Sequence, residues 1–183
     1  MGSMQMHSDF EELLSLFIAR GVRFLVVGGY AYASHATPRA TKDLDLWIDA
    51  TPENAVRAWR ALAEFGMPLG KITPQDLAMP GPWLQFGVAP VRIDILTAVD
   101  GLDFADAWEN RVQRTFGSAT APVLGMDDLI RNKRLVGRLQ DLADVQKLER
   151  RRALDAGEGR VSEKAAAPRR KKRRPKAAAR RKR

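Results

Sequence analysis

Asp43 and Asp45 stand one residue apart in the stretch Asp43-Leu44-Asp45-Leu46-Trp47-Ile48. The alternation reads as a β-strand, on which the two carboxylates project from one face and Leu44, Leu46 and Ile48 from the other. Two like charges about 4 Å apart repel by roughly 1 kcal/mol in water and roughly 4 kcal/mol at an effective dielectric near 20. Asp is also a poor strand former. A hard divalent cation reverses the sign of that repulsion, and Mg²⁺ is typically held by one or two carboxylates together with substrate phosphates. The matching half lies upstream. Phe24-Leu25-Val26-Val27 is an apolar run suited to a buried strand, followed by Gly28-Gly29 and an alanine-rich Tyr30 to Ala36 that reads as a short helix. Glycines where a helix begins let backbone N–H groups approach a phosphate closely, and the helix N-terminus favours negative charge. The unit therefore reads as a nucleotide–metal site, with Gly28 and Gly29 at the phosphates and Asp43 and Asp45 on Mg²⁺ or Mn²⁺. Arg39 and Thr41, in the link between the helix and the acidic strand, are further candidates for phosphate contact; the alternative for them is a capped loop.

A third acid fits the pattern. Trp83 to Val88 and Val91 to Leu96 read as two strands of a hairpin. In the second, Val91, Ile93 and Ile95 share one face and Arg92, Asp94 and Leu96 the other. A carboxylate among Ile and Leu is costly to bury unless it is paired or bound to metal. One reading pairs Asp94 with Arg92; the reading favoured by Asp43 and Asp45 upstream makes Asp94 a third metal ligand or the general base for an attacking hydroxyl.

Gly-Gly followed by TKDLDLWI, with Asp94 on a later strand, resembles the nucleotidyltransferase superfamily of DNA polymerase beta type, and within it the minimal bacterial branch of AbiEii-like toxins and related stand-alone enzymes. Many members have Gly-Ser where this chain has Gly28-Gly29. The resemblance runs over roughly Asp9 to Leu148. It implies the nucleotidyltransferase fold, a nucleoside triphosphate, two divalent metals held by Asp43, Asp45 and Asp94, and transfer of a nucleotidyl group to a hydroxyl with release of pyrophosphate. The segment LIRNKRLVGRLQDLADVQKL resembles the C-terminal helical part of AbiEii-like enzymes, which implies that Lys133 contacts phosphate and that Asp144 or Asp141 is the accompanying acid. Read on their own, these residues are solvated helix faces, with Arg138 and Asp141 close enough for a local ion pair.

The elements that must position these residues are legible in part. Ser8-Asp9-Phe10-Glu11 has the form of a capping box, and Phe10, Leu13, Leu14, Phe17 and Ile18 recur at helical spacing up to Gly21. Pro52 opens a helix through Phe65 whose apolar stripe is expected at Val56, Trp59, Leu62 and Ala63. A turn of helix at Pro74 to Met79, a short helix over Asp103 to Asn110, short strands at Val112 to Phe116 and Pro122 to Leu124, a helix from Gly125 to a break at Gly137, and a last helix from about Leu139 to Leu154 complete the set. The expected architecture is α/β (α+β): a small mixed sheet flanked by helices over residues 8–155, with 8–125 as the catalytic sheet and helices and 126–155 as the C-terminal helices.

The chain has 183 residues, no cysteine and two histidines, which excludes disulfides and cysteine or histidine metal clusters. With no long apolar run or signal-peptide pattern, the sequence reads as cytoplasmic and off the membrane. The net charge of +9 is unevenly distributed. From Arg160 onwards there are thirteen basic residues and one acid, while the remainder carries eighteen basic and twenty-one acidic residues. Residues 156–183 are thus expected to be a disordered Lys/Arg/Ala/Pro-rich tail that binds nucleic acid, RNA or DNA, through its phosphates. The acceptor favoured by this reading is an RNA 3′ end such as that of tRNA, consistent with a toxin that has an antitoxin partner; a protein hydroxyl or an aminoglycoside-like small molecule are the other acceptors. The rival readings are a non-catalytic nucleic-acid-binding protein and an antitoxin-like partner on the same fold.

Overall fold

The computed structural model describes residues 6–36, 41–81, 83–88 and 91–166, so the expectations for Arg39 and for the tail beyond Ala166 fall outside the described residues. The chain divides into two units, Met1–Arg151 and Arg152–Arg183. The first contains a six-stranded mixed sheet in the order β3-β4-β2-β1-β6-β5. Its strands are β1 (Phe24–Val26), β2 (Asp43–Ile48), β3 (Trp83–Val88), β4 (Val91–Leu96), β5 (Val112–Phe116) and β6 (Ala119–Val123), and the helices are α1 (Ser8–Ala19), α2 (Gly28–His35), α3 (Pro52–Glu64), α4 (Pro74–Leu77), α5 (Phe104–Glu109), α6 (Met126–Val136) and α7 (Leu139–Ala166). Among the described residues no helix is long and apolar enough to cross a membrane.

The sheet centre follows from apolar alternation. Leu44, Leu46 and Ile48 are fully buried on one face of β2, as the strand pattern predicts. Trp47, on the carboxylate side by alternation, is also buried, with Phe104 of α5 edge-on to it at 5.0 Å between ring centroids. β2 pairs antiparallel with β1 and parallel with β4, and β4 pairs antiparallel with β3. The far end of β1 and β2 is locked by Asn54, fully buried at the start of α3, whose amide nitrogen donates to the Arg23 and Asp49 carbonyls and whose oxygen accepts the Arg23 N–H. One amide thus satisfies backbone donors and acceptors that would otherwise lack partners, which explains an Asn at a core position.

The structure departs from the sequence expectations at identifiable places. The capping box of α1 does not form: His7 is the N-cap, its Nδ1 accepting the Asp9 N–H at 3.3 Å. Glu11 reaches instead to the β5–β6 turn, where it accepts from the Ser118 backbone at 3.2 Å. The glycine pair forms the first residues of α2 rather than a turn ahead of it. On α3 the buried face is Ala55, Ala58, Ala61 and Leu62, small residues that let the helix approach closely. Val56 and Trp59 lie at its margin, with Trp59 donating to the Ile72 carbonyl at 2.8 Å. β6 begins three residues earlier than expected, at Ala119, because Pro122 sits within it opposite Gln113 on the outermost pair of the sheet. Finally, α7 continues to Ala166, past the expected end near Leu154.

Candidate active site

Strand register brings the three acids together. In the parallel β2–β4 pair Asp45 lies opposite Asp94, and Asp43 lies opposite Arg92. All four side chains leave the same face of the sheet by alternation. Asp94 is 3% exposed and Arg92 sits beside it. Arg92 Nη2 is 2.6 Å from Asp43 Oδ2 and 3.1 Å from Asp94 Oδ2, so one guanidinium bridges two of the three acids. On the neighbouring β3, Gln85 lies opposite Asp94. With its amide turned so that the oxygen faces the guanidinium, Gln85 accepts from Arg92 Nε at 3.1 Å and Nη1 at 3.3 Å.

The glycine pair closes the other side. Gly28 has φ of +58°, and a Cβ there would collide with Asp45 Oδ2. A Cβ on Gly29 would collide with Thr41 Oγ1. Gly28 is therefore required by backbone conformation and by the Asp45 side chain against it, and Gly29 by the Thr41 side chain against it. Val27 N–H donates to the Asp45 carbonyl at 3.0 Å, tying the start of α2 to the acidic strand. The Asp45 carboxylate in turn accepts a hydrogen bond from the Gly29 backbone. Burial, and then the charge of Asp94, push the Asp45 carboxyl up to about 6 against the opposing effect of that hydrogen bond; Asp43 adds to the rise and Arg92 reduces it. The group that faces the glycines is thus a carboxylate held at a disadvantage by its neighbours.

In donor chemistry the site suits a hard divalent cation: three carboxylates on adjacent strands, one of them pushed up by burial and by the other two. In geometry, Asp43 and Asp94 are drawn around Arg92. Among the described residues no group of three or more His, Cys, Asp and Glu side chains is arranged to hold a metal ion.

Lys133, expected at the phosphate, is paired with acids of the C-terminal helix. Lys133 is 5% exposed, and its Nζ lies 2.8 Å from Asp141 Oδ1 and 2.9 Å from Asp144 Oδ2. Two carboxylates thus engage an ammonium that is almost sealed from solvent. Both candidate acids, Asp141 and Asp144, pair with it. Gln140 Nε2 donates to the second oxygen of Asp144 at 3.1 Å, and the Tyr32 ring of α2 lies 5.9 Å from Lys133 Nζ. The solvated-face reading is overturned, since Asp144 is fully buried. Thr41 lies beside Gly29, its hydroxyl directed to the Asp43 carbonyl at 3.4 Å. Sequence reasoning missed Gln85; the signal was available in the hairpin, whose register sets position 85 opposite position 94.

No protein-family model matches the chain, and no curated protein matches it in sequence. Solved structures do. TM1012 of Thermotoga maritima, assigned as a nucleotidyltransferase, superposes with a TM-score of 0.52 at 16% identity over 75% of this chain and 88% of its own. The antibiotic-resistance factor ANT(2'')-Ia in its solution structure gives 0.54 at 12% identity over 86% and 95%. The same factor crystallised with adenylyl-2''-tobramycin gives 0.50 at 12% identity over 85% and 93%. This chain has the nucleotidyltransferase fold. In that fold, as built here, the acidic strands β2 and β4 lie side by side and α2 begins against the first of them.

Proposed function

We propose that this protein is a nucleotidyltransferase that moves a nucleotidyl group from a nucleoside triphosphate to a hydroxyl acceptor. The observation that carries the proposal is the register of β2 on β4, which sets Asp45 against Asp94 and Asp43 one step away, beside the glycines that open α2. Asp43, Asp45 and Asp94 would hold Mg²⁺ or Mn²⁺. Bound divalent cations supply charge neutralisation at the attacking and leaving oxygens of an in-line displacement. The Gly28 and Gly29 backbone, stripped of side chains, lets a triphosphate come close to the N-terminus of α2, and Thr41 lines that approach. Asp94 completes the ligand set or takes the acceptor's proton. Lys133, with Asp141 and Asp144, serves as a positioning group that fixes α6 and α7.

The acceptor we propose is RNA, on the strength of the thirteen basic residues from Arg160 onwards. A tRNA 3′ end modified by a toxin kept in check by an antitoxin is the biological form this would take. A small hydroxylated molecule is the second acceptor, favoured by the similarity to ANT(2'')-Ia, whose bound adenylyl-2''-tobramycin is such a molecule joined to a nucleotidyl group. One survey tests both: labelled nucleoside triphosphates with Mg²⁺ and total RNA, aminoglycosides or cell protein, repeated with Asp43→Ala plus Asp45→Ala. Transfer to one acceptor that disappears in the double variant is the expected result. Absence of transfer to any acceptor, with RNA binding that survives the double variant and is lost on removing the tail, identifies a nucleic-acid-binding protein on an idle fold.

A further inference from the structure

Arg92 is the one cation whose charged group touches two of the three candidate metal ligands among the described residues, and it is held on both edges of its guanidinium. One edge meets Asp43 and Asp94 at 2.6 and 3.1 Å, and the other meets the Gln85 amide oxygen at 3.1 and 3.3 Å. The hold is built by the sheet: Arg92 and Asp94 are same-face residues of β4, Asp43 lies opposite Arg92 on β2, and Gln85 lies opposite Asp94 on β3. A planar guanidinium with donors on both edges fills this arrangement in a way that a lysine ammonium, a point charge, does not. Yet Arg92 is not sealed in. Its side chain is 32% exposed and that of Asp43 31%, so a path to solvent is open to the guanidinium while Asp94, at 4%, stays fixed.

We propose that Arg92 is an internal cation that competes with the divalent metal for Asp43 and Asp94, so that metal loading and release of Arg92 from these carboxylates are a single event. This rests on the metal-binding reading of the three acids. In the metal-free protein Arg92 offsets the repulsion among Asp43, Asp45 and Asp94 and keeps the ligand set assembled. The divalent ion takes over the same two carboxylates, and Arg92 turns outward, where the opened cleft presents its charge to an incoming polyphosphate. The arrangement gives the site a threshold: a cation must outcompete a guanidinium whose Nη2 already bridges both carboxylates, which favours delivery of metal together with a triphosphate over metal alone.

The test is Mn²⁺ binding to the full-length protein, followed by the electron paramagnetic resonance of free Mn²⁺, in wild type, Arg92→Gln and Arg92→Lys, with Asp43→Ala plus Asp45→Ala defining the site. Removing a positive charge that lies 2.6 and 3.1 Å from two of the ligands should tighten Mn²⁺ binding by about tenfold or more in Arg92→Gln, with Arg92→Lys in between. In wild type, the Nε–Hε NMR signal of Arg92 should shift and exchange faster with water over the same Mg²⁺ range that saturates the site, a readout that does not depend on any variant folding. Equal or weaker Mn²⁺ binding in Arg92→Gln, or an Nε–Hε signal that stays put while Mg²⁺ binds, overturns the competition while leaving the metal site intact. Binding unaffected by the double Asp variant, or none in wild type, overturns the metal reading itself, and the competition with it.

Discussion

Two clusters in this protein have the same formula, one cation between two carboxylates, and opposite construction. Arg92 with Asp43 and Asp94 lies on the sheet with two of its three members about one-third exposed, and Asp45 is next to it. Lys133 with Asp141 and Asp144 lies where α6 meets the start of α7, with side-chain exposures of 6%, 14% and 0%. The sealed cluster is closed by further hydrogen bonding, including that of Gln140, and can only hold the two helices in register. The open cluster, with Asp45 beside it, carries one acid too many for its single arginine, as the proposed exchange of its cation requires. Formula alone does not separate a structural pin from a working site; exposure and charge balance do.

The largest expected effect is on chemistry. Asp43→Ala plus Asp45→Ala should abolish label transfer, with a loss of at least about a thousandfold for removal of the charge-stabilising groups, while the melting temperature in EDTA changes little or rises. A double variant that keeps transferring label removes the open cluster from the mechanism. Next in size is Lys133→Met. It leaves two buried carboxylates without their cation and should cost about 3–5 kcal/mol in urea unfolding. Whatever fraction remains folded should bind triphosphate with unchanged affinity by fluorescence titration; a selective loss of triphosphate affinity would restore Lys133 to phosphate contact.

Asp45→Asn and Asp144→Asn set the two clusters against each other directly. The carboxyl of Asp45 is pushed up to about 6 in the folded chain, above the usual carboxylate range. Its contribution to stability is therefore fully present at acid pH, below about 4, and is lost as pH rises through about 6. In EDTA at pH 7.5 Asp45→Asn should stabilise the protein by about 1–3 kcal/mol, the scale set by 1.36 kcal/mol per tenfold change in proton affinity, and the gain should vanish near pH 4. Asp144→Asn should instead destabilise at pH 7.5, because it removes a charge that Lys133 needs. Thermal melts at the two pH values check both signs. The smallest effect belongs to Arg20→Ala. Its fork-like pair with Glu64, at 2.7 and 2.8 Å, lies on the surface, where solvent screens it, so the melting temperature should stay almost unchanged.

Much of the site is legible in the amino-acid sequence. Asp-x-Asp on an apolar alternation, glycines after a buried run, and a lone acid in a later strand are local patterns, and the strand period alone sets which side chains share a face. The β2 face and the hairpin at Trp83–Leu96 match those patterns. The stripe of α3 matches at Leu62 but not elsewhere, because an apolar count favours Val56 and Trp59 while close packing selects Ala55, Ala58 and Ala61. The α1 cap does not, because Glu11 has a better partner about a hundred residues away in the β5–β6 turn.

Chain order and spacing thus determined the kinds of groups available: a glycine-opened helix, paired acids on one strand, a third on another, and a basic C-terminus. Tertiary structure decided their partners. The same Lys133 that looks free on an isolated helix is closed between Asp141 and Asp144, and Arg92, which the strand pattern offers as a partner for Asp94, reaches Asp43 as well. Both outcomes depend on register between strands and on contact between helices, and the energy of a charge depends on which charges and how much water surround it once those contacts exist.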